Sequence, residues 1–405
     1  MIFKYPKAFV LFALVFTALA SFNALPARAQ AEKQDSLKSR AAVMVEQGKF
    51  IEALPLLEAI ALEEPENAGN LFFLGAALLA KTRVVTDTEE IKQLFIRSRK
   101  ALIKAKQLGH PEPKLDAIIQ SIPEDGSVPN YTKNPEVEQL MKEGESFFAQ
   151  GKMDESLKKY QKALELDPTL YYAALYSGDV YVHKTEYDRA EVWYQKAIKI
   201  DPTRETAYRY SATPLMKQRK YDQARDRYIE AYITEPYNNY AIGGLGQWAR
   251  VTGAKLAHPV IEIPTEFSAD EKGDTKITLD ANTLLGGKKD DGSSSWLIYG
   301  VTRAGWQEEF VKKFPGEKVY RHSLAEELDA LQSVLRLAAA DKKAKKLSAS
   351  LAKLKELNDK GLLESYILLA RADKGIYQDY AQYLKLNRDK LRRYVIEYVL
   401  KGGGN

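Results

Sequence analysis

The sequence predicts a mainly α protein: a helical solenoid followed by an α-rich C-terminal domain with a few short strands. Three observations lead there. Asp167-Pro168, Asp201-Pro202 and Glu235-Pro236 recur at a constant step of 34 residues. Small and aromatic residues keep the same step, as Ala163, Ala197 and Ala231, and as Tyr160, Tyr194 and Tyr228. The chain has no Cys, so neither disulfides nor thiol-held metals can support it, and the helices must stand on apolar packing.

Each step reads as two short helices. Gly144, Ser156 and Ala163 in the first unit, and Gly178, Ala190 and Ala197 in the second, are small enough to let two helix axes cross closely. Phe147, Tyr181, Tyr160 and Tyr194 fill the wider gaps. The prolines close the second helix, because the residue before Pro is pushed out of α space. One such unit cannot bury its apolar face alone, so neighbours stack. This period and these positions resemble the tetratricopeptide repeat (TPR). The resemblance implies a TPR helical solenoid over 137–253, with units 137–170, 171–204 and 205–238 and a half unit 239–253, where Leu245-Gly246 keeps the phase.

In chain order, the start carries Lys4 and Lys7, then the apolar run Ala8–Leu19, then Ala27-Arg28-Ala29. That is the pattern of a secretory signal peptide, residues 1–29, with cleavage after Ala29 and a periplasmic or secreted mature protein. Without an N-terminal Cys the mature chain has no lipid attachment of that kind. Removing Lys4, Lys7 and Arg28 from the 60 basic residues leaves a net charge of about +2 against 55 acidic ones. A nucleic-acid partner is therefore not expected.

Residues 34–122 read as further TPR-like helical repeats. Gly48-Lys49-Phe50, Ala53, Leu57 and Pro65 occupy corresponding offsets. A second unit opens near Ala68; its second helix is delayed by an insertion, Lys81–Glu90, and resumes over Ile91–Leu108. The cations Arg97, Arg99, Lys100, Lys104 and Lys106 on that helix read as a solvated face, and Leu115–Ile122 as a short closing helix. Pro123–Pro135 is rich in Pro and Asn, so 123–136 reads as a linker.

After 253 the pattern changes. Residues 254–295 form an irregular, β-containing segment, with strands expected at Pro259–Phe267 and Lys276–Leu279, and residues 296–401 an α-helical domain. Its first helix, Trp296–Phe314, is capped by Ser294 or Ser295 and has the apolar stripe Leu297, Val301, Ala304 and Val311. Further helices are expected at Ser323–Ala340, Lys345–Leu357, Leu362–Ala372, Ile376–Leu386 and Asp389–Leu400, and Gly402–Asn405 reads as a tail. Residues 254–405 resemble no family.

Catalytic and cofactor motifs are not found. His110, His183, His258 and His322 stand at no metal-ligand spacing, and no cofactor or metal is expected. Gly286-Gly287-Lys288 lacks the first Gly of a phosphate loop. Gly244-Leu245-Gly246-Gln247-Trp248-Ala249 fits a dinucleotide pattern but follows no strand. Asp290-Asp291-Gly292 reads as an acidic turn, and Glu308-Glu309 as a solvated pair, since neighbours on a helix point about 100° apart. Residues 342–357 form a basic amphipathic segment in which the leucines read as core and the lysines as solvated; membrane contact beyond a peripheral one there is not expected.

In the TPR family, ligands lie along the concave face of the first helices. Laid over this sequence, that face presents Glu138, Met141, Glu145 and Phe148; then Tyr172, Leu175, Asp179, Val182 and His183; then Thr206, Arg209, Thr213, Met216 and Lys217. The groove candidates are Glu145, Phe148, Tyr172, Asp179, Arg209, Met216 and Lys217. Family members that grip a C-terminal carboxylate carry Lys and Asn where Met141 and Glu145 stand, which argues against that mode. The expected function is an exported scaffold that binds a protein or peptide partner in the cell envelope. The alternatives are an enzyme with its catalytic part in 254–405, and a module binding an envelope polymer.

Overall fold

A computed structural model describes residues 30–127, 130–269, 275–279 and 291–401. The expected signal peptide, the Gly286-Gly287-Lys288 stretch, Asp290 and the Gly402–Asn405 tail lie outside the described residues. The chain forms two compact bodies, Met1–Ile200 and Asp201–Asn405.

The N-terminal body is a run of helical hairpins. Helices α1 (Gln30–Glu46) and α2 (Phe50–Glu63) form the first, α3 (Ala68–Lys81) and α4 (Thr88–Gln107) the second, followed by the short α5 (Leu115–Ser121). Then come α6 (Pro135–Ala149) with α7 (Met153–Leu166), and α8 (Tyr171–His183) with α9 (Tyr187–Ile200). Asn67, Asp87 and Asn134 each accept backbone N–H groups at a helix start, and Pro135 takes the first helical position where no N–H is needed.

The small crossing positions do what their size suggests. A Cβ on Gly144 would stand 2.4 Å from the Tyr160 ring, and one on Gly178 2.5 Å from Tyr194. The Ser156 hydroxyl donates to the Gly144 carbonyl at 2.8 Å. Ser98 makes the same bond to Gly75 at 2.7 Å, across 23 residues rather than 12. The second hairpin therefore keeps the repeat's crossing, and its insertion is absorbed by the connection between α3 and α4. Asp87 starts α4 at Thr88, three residues before the expected Ile91.

The C-terminal body contains the fifth hairpin, α10 (Glu205–Lys217) and α11 (Tyr221–Thr234), and the single helix α12 (Asn239–Thr252). Gly253, in left-handed geometry, ends α12. Strand β1 (Lys255–Leu256) pairs antiparallel with the terminal β4 (Leu400–Lys401); β2 (Thr265–Ala269) pairs with β3 (Thr275–Leu279), Thr265 opposite Leu279. The helices are α13 (Leu297–Glu308), α14 (Phe310–Lys313), α15 (Leu324–Ala340), α16 (Ala349–Asp359), α17 (Leu363–Tyr366) and α18 (Tyr380–Tyr394). Helix α18 lies on α11: Tyr380 donates to the Ile233 carbonyl at 2.7 Å, and Arg388 bonds Glu230 and Thr234. The chain thus closes its last hairpin with its own C-terminal helix.

Several sequence expectations need correction here. The Trp296–Phe314 helix is a 3-10 turn (Ser293–Trp296) and two helices that meet at Glu309. The stripe Leu297, Val301 and Val311 is turned outward, at 38%, 57% and 58% exposure, while Trp296, Tyr299, Arg303 and Phe310 are buried. Tyr299 and Arg303 can face inward because buried carboxylates receive them. Ser295 donates to Gly292 O instead of capping α13. The strand expected at Pro259–Phe267 is β2, which begins at Thr265, and Pro264 just before it has no N–H to offer a ladder. Helix α16 starts at Ala349, not Lys345; its Leu351, Leu354 and Leu357 are wholly buried, so that face is core. The Leu362–Ala372 helix passes into a π-turn at Ile367–Arg371, and Ile376–Asp379 is a 3-10 turn. The break expected between Leu386 and Asp389 is a kink at Asn387. Gly246 meets nothing, because no second helix follows to cover it; the close approach belongs to Gly244, packed on Tyr228.

Candidate peptide-binding face

The face of α6 and α8 that the resemblance marks as the groove holds part of this chain. Tyr131, from the segment before α6, lies with its ring edge-on to Tyr172 (centroids 5.3 Å apart) and Tyr176 (6.0 Å). Its hydroxyl donates to Glu145 at 2.7 Å. Its backbone N–H donates to Glu138 at 2.7 Å, and the Thr132 N–H reaches the same oxygen at 3.3 Å. Beside it, Lys142 donates to Thr88 and Ser146 to the Val84 carbonyl. The expected open groove of the first repeat is therefore covered by residues of the 84–88 connection and by the segment at 131–132. Glu138 is 7% exposed and Met141 is fully buried.

The electrostatics follow from that cover. Burial pushes the Glu145 carboxyl up to about 7, against the downward pull of the Tyr131 hydrogen bond and the Arg83 charge. Burial raises the Tyr131 and Tyr176 hydroxyls well above their ordinary range, with Glu145 adding to the effect.

The remaining candidates have separate surroundings. Phe148 sits edge-on against His183 at 4.7 Å. Asp179 is buried and accepts the Tyr194 hydroxyl at 2.7 Å, so it braces the hairpin. Arg209 is turned along its own helix in a two-point pair with Glu205, at 2.8 and 3.0 Å, under the rings of Tyr210 and Tyr240. Met216 packs partly against the core of the C-terminal body, and Lys217 is exposed.

The Tetratricopeptide repeat family model matches residues 141–205. Residues 141–205 are tetratricopeptide repeats. Among solved structures, the chain is similar to the first TPR of Spaghetti (RPAP3) bound to an HSP90 peptide: 21% identity over 30% of this chain and 98% of that one, TM-score 0.28. It is similar to MamA at 18% identity, over 51% and 93% of the two chains, TM-score 0.25. It is also similar to YrrB, described as a TPR protein with an unusual peptide-binding site: 13% identity, 53% and 93% coverage, TM-score 0.26. No curated protein matches the chain.

A second polar cluster lies inside the C-terminal body. Glu327 accepts Tyr299 at 2.6 Å and Arg371 at 3.3 Å, and stands 3.2 Å from His322 Nε2. His322 Nδ1 is 2.7 Å from Asp373. Next to them, Glu326 accepts Arg303 and Tyr320, each at 2.8 Å. Burial alone would raise the Glu327 carboxyl, but His322, Arg371 and Tyr299 hold it down at about 2. Both His322 nitrogens face carboxylates, so the cluster ties α13, α15 and the 371–373 segment together. Nothing in the sequence marked this cluster, because its members are far apart in the chain; the carboxylates singled out there, Glu308 and Glu309, are exposed. Among the described residues no group of three potential metal ligands converges, and no helix is long and apolar enough to cross a membrane.

Proposed function

We propose that this is an exported TPR scaffold that binds a protein or peptide partner in the cell envelope. The observation that carries the binding half is the grip of α6 and α8 on Tyr131 and Thr132, which uses backbone N–H groups, a hydroxyl and an aromatic ring, the contacts an extended peptide offers. Export is supported by the Lys4 and Lys7 start, the Ala8–Leu19 run and Ala27-Arg28-Ala29. Phe148 and Tyr172 are proposed as apolar contacts. Lys217 is proposed as a cationic one, while the Arg209 charge is met by Glu205.

The test is capture of partners by the mature protein from envelope extract, then titration of the purified partner at two salt concentrations. A Phe148→Ala/Tyr172→Ala variant should bind more weakly with little change in salt dependence. A Lys217→Ala variant should flatten the salt dependence. If both folded variants bind like the wild type, the repeats are not the binding surface. Native protein whose N-terminus is still Met1 would overturn export.

A further inference from the structure

We propose that Asn130–Asn134 is an internal ligand, and that the site it fills takes a partner segment presenting a tyrosine. This rests on the reading of the repeats as a peptide-binding scaffold and names what they bind. Tyr131 is held by two helices: Tyr172 and Tyr176 of α8 about its ring, Glu145 of α6 at its hydroxyl, and Glu138 of α6 at its N–H. These are first-helix positions of two consecutive hairpins, so the site exists only where the hairpins stack.

The segment itself contributes little else. It forms no helix or strand, Lys133 and Asn134 are exposed, and Asn134 stays fixed as the cap of α6. Tyr131 can therefore leave without unwinding a repeat. The site also selects for tyrosine over phenylalanine. Glu145 is half-buried, and a ring without a hydroxyl leaves its carboxyl without that donor. A bound partner would reproduce the contacts of Tyr131: one tyrosine, with its own N–H and the next one on Glu138.

A tethered segment competes with an effective concentration on the order of millimolar, so the intact chain masks the site from weak ligands. The probe is the peptide of residues 130–135, Asn-Tyr-Thr-Lys-Asn-Pro, blocked at both ends and fluorescently labelled. It is titrated against the full mature chain, as wild type, Tyr131→Ala and Tyr131→Phe. The result expected is binding to Tyr131→Ala at least about ten-fold tighter than to wild type. Tyr131→Phe should fall between them, and a peptide with Phe in place of Tyr should bind more weakly. Equal binding to wild type and Tyr131→Ala, or none to a Tyr131→Ala chain that melts cooperatively, overturns the proposal. Should Tyr131→Ala not fold, the decision passes to Tyr131→Phe, where binding no tighter than wild type overturns it. If exchange fails while a captured envelope partner still binds through Phe148 and Tyr172, the internal-ligand proposal falls and the scaffold reading stands.

Discussion

The Tyr194 hydroxyl donates a 2.7 Å hydrogen bond to Asp179, joining α8 and α9 in the interior of their hairpin. Asp179 is 7% exposed and Tyr194 1%, so the pair sits where an unmet polar group is costly. Asp179→Ala removes the acceptor and should lower stability by about 1–3 kcal/mol. Tyr194→Phe, which keeps the ring, should cost less. Urea melts of both single variants and the double variant measure this, and the coupling in the cycle should be clearly non-zero. Additive effects would mean that the bond contributes nothing.

Two glycines of the repeats should respond with opposite signs. A Cβ on Gly178 would stand 2.5 Å from the buried Tyr194 ring, so Gly178→Ala should destabilise by about 1–3 kcal/mol through overpacking. Gly246 has nothing within 4 Å of its Cβ position, so Gly246→Ala should instead stabilise α12 by up to about 1 kcal/mol, as alanine is the better helix former. Thermal melts of the full chain compare the two.

The turns between α6 and α7, α8 and α9, and α10 and α11 each place one residue in left-handed geometry. Gly151 takes it at φ 75° in one hairpin, but Thr185 and Arg219 hold the equivalent positions at φ 61° and 58°. A β-branched side chain is the more strained there. Thr185→Gly should therefore raise the melting temperature, by up to about 1 kcal/mol of stability, with Thr185→Ala showing less gain. A lower melting temperature for Thr185→Gly would mean that its side chain stabilises the turn.

The His322 cluster sets a pH window for the C-terminal body. Burial opposes charge on His322, but hydrogen bonds to Asp373 and Glu327 raise its pKa above the ordinary 6.5, with the Arg303 charge pulling the other way. Its contribution is complete below about pH 6.5 and is lost as pH rises through the raised value. Glu327 and Asp373 are both held at about 2, so theirs is complete above about pH 4.5 and is lost as pH falls toward 2. Arg371 and Tyr299 also face Glu327. Stability from this cluster should peak between about pH 4.5 and 6.5. Melts at about pH 5.5 and 8.5 should differ in the wild type, and His322→Gln should be less stable and lose that difference. An alkaline decline unchanged in His322→Gln would assign it to another group.

The 34-residue period alone determined the TPR hairpins, because packing in a solenoid is local and each contact recurs at a fixed offset. Ser156 sits at the crossing expected of it, while Tyr160 and Tyr194, expected in the wider gaps, pack directly on Gly144 and Gly178. The kink near Asn387 was legible too, as a gap between two helical patterns. Where the repeat stops, the sequence lost its hold. The stripe Leu297, Val301 and Val311 has helical spacing, yet the fold buries Tyr299 and Arg303, because Glu326 and Glu327 arrive from a different helix to satisfy them. In the same way Tyr131, in a stretch with the composition of a linker, fills the face that periodicity marked as open. Periodicity reports which side of a helix can be buried against its neighbours in sequence. Which distant residue covers that side, and whether a polar group there finds its partner, is settled only when remote parts of the chain come together.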